Sequence, residues 1–188
     1  MPVFDFIPTP IAGCFEIQPV VRYDERGHFV KTFYASEFSA LNLEYDFIEE
    51  YYSSSYKGVI RGMHFQLPPH DHAKLVYCVS GSVLDVVLDL RSDSPTFGQY
   101  YSTEINSKNA KMLYVSKGLA HGFSSLEPES VMMYKVTSIY APQHDTGIHW
   151  ASFGFDWGIQ NPVVSQRDQL LPIFDRNLNL FSKKVVHV

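Results

Sequence analysis

A chain of 188 residues that is 45% hydrophobic and 19% charged has the size and composition of one globular domain and excludes an intrinsically disordered polypeptide. The formal net charge of -5, with no Lys/Arg-rich run, excludes a molecule whose main task is to neutralise nucleic-acid phosphates, although a small basic pocket remains compatible with it. No stretch approaches the ~20 apolar residues of a membrane span, and the N-terminal MPVFDFIPTPIAGCF lacks the basic-then-apolar order of a signal peptide. The expectation is a single domain over residues 1–188, cytoplasmic, with neither nucleic acid nor membrane as partner.

In chain order, short apolar runs alternate with turn residues at the spacing of an all-β sandwich or barrel. The runs are 15–21, 28–34, 47–52, 74–79, 82–90, 99–105, 111–115, 121–126 and 131–140. They are broken at Gly13, Glu25-Arg26-Gly27, Ser80-Gly81, 94–98, 106–109, Lys117-Gly118 and Glu127-Pro128, where Gly, Asn and Pro supply turn dihedrals. The Ser-rich segment after Tyr52 reads as a turn. Only 36–41 (SEFSAL) looks helical, with Ser36 as its N-cap. After Ala141 the pattern loosens, and a tail carrying Trp150, Phe153, Phe155 and Trp157 is expected to pack over the barrel.

The run 82–90 places Ser82, Leu84, Val86, Leu88 and Leu90 on one face and Val83, Asp85, Val87 and Asp89 on the other. Two acids beside two valines fit a partly polar barrel interior that holds a ligand, and fit equally a face turned to solvent. Cys14 and Cys78 belong to no CxxC pair and read as reduced, buried small hydrophobes.

The densest chemistry lies in Lys57–Leu75 (KGVIRGMHFQLPPHDHAKL), followed by KGLAHGF at 117–123, YKVTSIY at 134–140 and SQRD at 165–168. The His70-Asp71-His72 triplet suggests a metal, but it follows Pro68-Pro69, reads as a loop, and stands beside the cation Lys74, which opposes metal binding. No metal is therefore expected. Proton abstraction beside a ketone needs a base, a group to hold the enolate, and an acid on the opposite face if the carbon is to invert. Histidine suits the base at His64. Lys74 and Arg61 suit the enolate, and Tyr134 or Tyr140, six residues apart on one expected strand face, suits the acid. Asp168 could orient His64 through the other ring nitrogen. In a regular strand Arg61 and His64 face opposite sides, and Gly62 could seat a bulge that turns both inward.

GVIRGMHFQLPP, AKLV, DVVLDLRSDSPTFG, GLAHGF and YKVTSIY, with DERGHF upstream and SQRD late, together resemble the dTDP-4-dehydrorhamnose 3,5-epimerase family from about Gly13 to Pro172. The resemblance implies an all-β, cupin-like double-stranded β-helix (jelly roll) with a few short helices and a C-terminal packing segment. It also implies a homodimer, a nucleotide-diphosphate 4-keto sugar as substrate, and neither cofactor nor metal. By matching position it makes His64 the base, Asp168 its dyad partner, Lys74 the enolate stabiliser and Tyr134 the acid. Arg61, His121 and Tyr140 match substrate contacts, Arg26 and Phe29 nucleotide contacts, and Asp85 an acid near the base. Arg167 stands where the family usually has Lys, and suits the pyrophosphate.

Departures cluster. The family usually has Glu where this chain has Lys31, and Phe-x-Gln-x-Asn where it has Phe47-Ile48-Glu49-Glu50-Tyr51. These positions resemble those around the base, and a carboxylate at Glu49 accepts but cannot donate, so a CDP- or GDP-linked 4-keto sugar stands beside the dTDP-linked one. Inversion at C3, at C5 or at both also stays open. Two readings of other classes remain: a metal-dependent cupin, which would need His64, His72 and His121 to converge with Lys74 turned away, and a non-catalytic nucleotide-sugar binder, to which the altered Lys31, Glu49 and Tyr51 lend weight.

Overall fold

The structure is a computed structural model and describes residues 2–177 and 179–181. The rest of the span 1–188 expected to form one domain lies outside the described residues. The N-terminal half runs β1 (Phe4–Pro8), β2 (Cys14–Pro19), β3 (Val21–Asp24), β4 (Gly27–Val30), α1 (Ala35–Ala40), β5 (Glu49–Tyr56), β6 (Val59–Gln66), β7 (Lys74–Ser80) and β8 (Ser82–Asp89). It continues with β9 (Tyr100–Asn106), β10 (Met112–Val115), β11 (Leu119–Ser125), β12 (Glu129–Val136), β13 (Asp145–Gly147), β14 (Val163–Val164) and α2 (Gln166–Gln169).

Two sheets face each other. The first has the order β1-β2-β10-β7-β12-β5, the second β13-β6-β11-β8-β9 with β14 parallel to β6, and β3-β4 form a separate hairpin. The out-of-sequence neighbours are the crossovers of a cupin-like jelly roll. Strands leave one sheet for the other at tight turns. At Gly81 (φ +77°) the chain passes from β7 in the first sheet to β8 in the second, and a Cβ there would lie 2.4 Å from the Glu129 carbonyl.

Three apolar layers follow from strand alternation. Val76, Cys78, Leu113, Val115, Met132 and Tyr134 of the first sheet meet Val83, Val87, Ile105, Leu119 and Phe123 of the second in the central layer. Behind the second sheet, Ile60, Met63, Phe65, Val86, Leu88 and Leu90 are covered by Ile148, Phe153 and Trp157. Behind the first, Leu75, Tyr77, Met112 and Tyr114 are covered by Phe38 of α1. Each fully buried side chain of this size is worth roughly 1.5–3 kcal/mol relative to exposure, so the covering segments stabilise the sheets that present the site.

The aromatic tail packs over a sheet as expected, but β13 and β14 also add to it along β6. The face with Val83, Asp85 and Val87 looks between the sheets, which settles the two readings of that strand in favour of a polar interior. Asp89, at the strand end, anchors the next loop by accepting bonds from Arg91, Ser94 and Thr96. Both cysteines are buried and free.

Three expectations are corrected. Helix α1 is preceded by Tyr34 in extended backbone with no side-chain cap, so Ser36 lies inside the helix and is not its cap. The run 131–140 ends as a strand at Val136, so Tyr140 belongs to the following loop and shares no strand face with Tyr134. The serines 53–55 are no turn, because β5 continues to Tyr56, paired throughout with β12.

Candidate active site

Strand β6 carries the base candidate, and its irregularity decides what faces inward. His64 pairs with His121 and Arg61 with Phe123, so three steps along β6 match two along β11. The extra residue is the bulge at Gly62-Met63. Gly62 has φ +139°, and a Cβ on it would sit 2.6 Å from the Gly122 Cα. Glycine at both positions lets the strands approach, Met63 turns into the outer core, and Arg61 and His64 both line one cleft of about 350 Å³ between the sheets. The bulge that Gly62 could seat is present.

The SQRD segment delivers the partner of His64. Strand β14 runs parallel to β6, the Ser165 hydroxyl accepts from the Asp168 N–H as an N-cap, and the turn of α2 points Asp168 back at the bulge. Its Oδ1 lies 2.7 Å from His64 Nε2, and its Oδ2 accepts the Gly62 N–H at 3.2 Å. Burial opposes charge on Asp168, yet the His64 and Gly62 hydrogen bonds and the nearby Arg167 hold its carboxyl below the usual range. With Nε2 engaged, Nδ1 is the ring nitrogen left for chemistry.

Lys74 opens β7 and is buried, its Nζ donating to the His64 carbonyl at 3.1 Å. Burial pulls its ammonium down to about 8, against the pull of Asp145 and Asp85. Tyr134 rises from β12. Its hydroxyl is 3.1 Å from Ser53 Oγ, and its ring stacks on Tyr51 at 4.8 Å between centroids. Burial pushes the Tyr134 phenol well above its ordinary value. His121 of β11 bonds through Nε2 to both oxygens of Asp85, at 3.0 and 2.8 Å, so the acid expected near the base has His121 as its partner. Burial raises the Asp85 carboxyl, with His121 and Lys74 pulling the other way.

Arg167, Tyr140, Glu49 and Tyr51 stand around the same cleft. Arg167 Nη2 is 2.8 Å from Asp145 Oδ2, and Glu49 Oε2 accepts the Tyr140 N–H at 2.8 Å. Arg26, Phe29 and Lys31 do not line this cleft. Arg26 and Phe29 are on the β3–β4 hairpin and Lys31 just beyond it; Arg26 is bonded to Asp24, Phe29 is exposed, and Lys31 sits over the Tyr34 ring.

Asp145, Ser53 and Gln66 also line the cleft, although none of them is a site candidate from the sequence alone. Asp145 is brought in by β13, three residues in a stretch of weak pattern, pairing with Gln66. Gln66 Nε2 lies within hydrogen-bond distance of the His70 and Ile139 carbonyls and of His72 Nδ1, and its two protons tie two rim loops together. The His-x-His triplet lies in a loop, with the His70 ring against His144 and His72 on Gln66. Among the described residues no three His, Cys, Asp or Glu side chains gather as a metal shell, and Lys74 faces the cleft that such a shell would need. Nor is any helix among them long and apolar enough to cross a membrane.

Comparison with known proteins agrees with the fold. A family model described as dTDP-4-dehydrorhamnose 3,5-epimerase matches residues 8–176. The dTDP-4-dehydrorhamnose 3,5-epimerase of Shigella flexneri is 38% identical over 165 residues, 86% of this chain and 91% of its own. The dTDP-4-dehydrorhamnose 3-epimerase of Streptomyces niveus is 36% identical over 165 residues, 86% of this chain and 80% of its own. A crystal structure of the Bacillus anthracis dTDP-4-dehydrorhamnose 3,5-epimerase, with TDP and PPi bound, superposes with a TM-score of 0.88 at 34% identity, covering 91% of this chain and 99% of that one. The chain belongs to the dTDP-4-dehydrorhamnose 3,5-epimerase family.

Proposed function

We propose that this chain, acting as one domain in the cytoplasm, is an isomerase that inverts C3, C5 or both in a dTDP-linked 4-keto-6-deoxyhexose. The observation that carries the reading is the placement of the two proton-handling groups. His64 comes from the second sheet, with Asp168 behind it on α2, and Tyr134 comes from the first; His64 and Tyr134 line one cleft. A sugar ring held between the sheets then meets a base on one face and an acid on the other.

The steps balance without a cofactor. His64 takes the proton from the carbon beside the ketone, the C–H electron pair moves into the ring, and negative charge gathers on the ketone oxygen. Asp168 stabilises the imidazolium that forms. The Lys74 ammonium offsets the enolate charge in a buried setting where such a charge acts strongly. Tyr134 then gives its proton to the opposite face and the ketone reforms. Arg167 supplies a guanidinium fork for the diphosphate once it leaves Asp145.

Relatives named as 3,5-epimerase and as 3-epimerase both match this chain, so either stereochemical outcome fits the family. A second reading, the same reaction on a CDP- or GDP-linked sugar, is favoured by Glu49, whose carboxylate lines the cleft and suits the exocyclic amine of cytosine or guanine. We further propose a homodimer in which Arg26, Phe29 and Lys31, displayed away from their own cleft, reach the nucleotide in the partner subunit's.

Deuterium uptake from D2O at C3 and C5 of dTDP-, CDP- and GDP-linked 4-keto-6-deoxyglucose tests the proposal. Uptake that vanishes in His64→Ala supports it and identifies carbon and nucleotide. No uptake from any of the three would overturn it in favour of a binding protein.

A further inference from the structure

The acid Tyr134 is gripped from one side by a single strand. On β5, Tyr51 pairs directly with Tyr134 and stacks on its ring, while Ser53 places its hydroxyl 3.1 Å from the phenol oxygen. The same strand holds Arg61, whose Nε donates to Ser55 Oγ at 2.9 Å and whose Nη2 donates to the Ser54 carbonyl at 3.0 Å. Ser53 itself lines the cleft.

The surroundings are hostile to the state that Tyr134 must pass through. On giving its proton to carbon, the O–H bond breaks and its electron pair stays on oxygen as a phenolate. That phenolate is buried. Burial first, then the charge of Asp85 and the neighbouring Tyr51, disfavour it, and Ser53 and Arg61 are the groups that act in the opposite sense. In the resting state either hydroxyl can donate to the other. Once the phenolate exists it can only accept, so the Ser53 O–H must donate to it. A hydrogen bond that becomes charge-assisted only as the proton leaves stabilises the transition state more than the ground state.

We infer that Ser53 is a positioning residue for reprotonation: its hydroxyl fixes the Tyr134 phenol and stabilises the phenolate formed when the proton is delivered to the sugar carbon. The inference rests on the proposed role of Tyr134 as the acid. Ser53 then governs inversion and leaves abstraction to His64, so the two half-reactions separate.

The test measures inversion and solvent-proton exchange at the same carbon in Ser53→Ala, Ser53→Thr and Tyr134→Phe. Inversion in Ser53→Ala is expected to fall about tenfold or more, the scale of a lost hydrogen bond to a charged group. Exchange and KM should stay within about threefold, because neither abstraction by His64 nor substrate binding passes through the Tyr134 phenolate that Ser53 stabilises. Ser53→Thr keeps the hydroxyl and should restore inversion, which a mere packing role would not require. Adding Ser53→Ala to Tyr134→Phe should cost nothing further. Unchanged inversion in Ser53→Ala, with inversion lost in Tyr134→Phe, overturns the role of Ser53 alone; a parallel loss of exchange and inversion in Ser53→Ala does the same. Inversion that survives in Tyr134→Phe overturns the acid assignment beneath it.

Discussion

His64 and Asp168 are separated by 104 positions in the chain and meet at 2.7 Å, joined by a bulged strand on one side and a four-residue helix on the other. The carboxylate touches Nε2 and the Gly62 N–H together, so it fixes both the imidazole and the bulge that presents it. Asp168→Asn keeps the size and one acceptor oxygen but no longer stabilises an imidazolium. Loss of kcat by ~10²–10⁴ is expected, with solvent exchange falling in parallel because the first C–H cleavage is what suffers. His64→Ala should remove exchange at every carbon the enzyme activates. Exchange close to the unmodified rate in Asp168→Asn, in a folded protein, would remove the carboxylate from the mechanism.

Lys74 gives a pH dependence with a definite sign. Burial brings its ammonium down to about 8 from an ordinary 10.5. Above that pH the free protein loses the charge that holds the enolate, so kcat/KM should fall roughly tenfold per unit as pH rises beyond 8. Lys74→Arg, which stays charged, should flatten this limb even if its absolute rate is lower. Stability moves the other way. Between pH 8 and 10.5 the unfolded chain binds more protons at this site than the folded one, so the Lys74 contribution to stability rises with pH across that window. A kcat/KM profile level to pH 10 would overturn the lowered ammonium value, and full activity in Lys74→Met would exclude an essential Lys74 charge.

The close approach of β6 and β11 is also testable. Gly62→Ala places a Cβ 2.6 Å from the Gly122 Cα at φ +139°, where backbone must move. A loss of about 2 kcal/mol or more is expected, in the range of a strained backbone position plus a forced contact. Urea unfolding reads the stability. Activity should drop further than stability, because the bulge that turns Arg61 and His64 inward would shift. Wild-type turnover in Gly62→Ala would show that the bulge does not depend on the glycine.

Much of this was legible in the chain itself, for physical reasons that also explain the remainder. Strands 82–89 and 112–115 announce themselves because short apolar runs bounded by turn residues, Gly81 before the first and Asn109 before the second, are local properties. The bulge could be raised as a possibility because Arg61 and His64 face opposite sides of a regular strand and Gly62 lies between them, although spacing alone does not show it. Tyr140 reads as strand from the sequence because an apolar run continues past Val136, whereas its Glu49 contact and the Gln66 anchors at Ile139 and Ala141 pull that segment into a loop. The serines at 53–55 have turn-like composition, yet their pairing with β12 makes them strand, a tertiary override of local preference. Asp145 carries no local signal at all. It becomes part of the site only through its pairing with β6 and its bond to Arg167.

The hairpin residues make the last prediction. Arg26 and Phe29 lie on a two-stranded hairpin that pairs with neither main sheet, and Phe29 is 62% exposed. An isolated hairpin of this kind is marginal unless something packs on it. If it reaches a partner's cleft, the double substitution Arg26→Ala/Phe29→Ala should raise KM for the nucleotide sugar and leave the fold intact. Mixing that variant with His64→Ala then gives a diagnostic result. In a two-fold dimer with sites shared between chains, each mixed dimer has one site with both defects and one with neither. Random exchange of subunits should therefore restore about a quarter of normal activity at subsaturating substrate. If the hairpin serves its own chain, each site in a mixed dimer carries one defect, and mixing restores nothing.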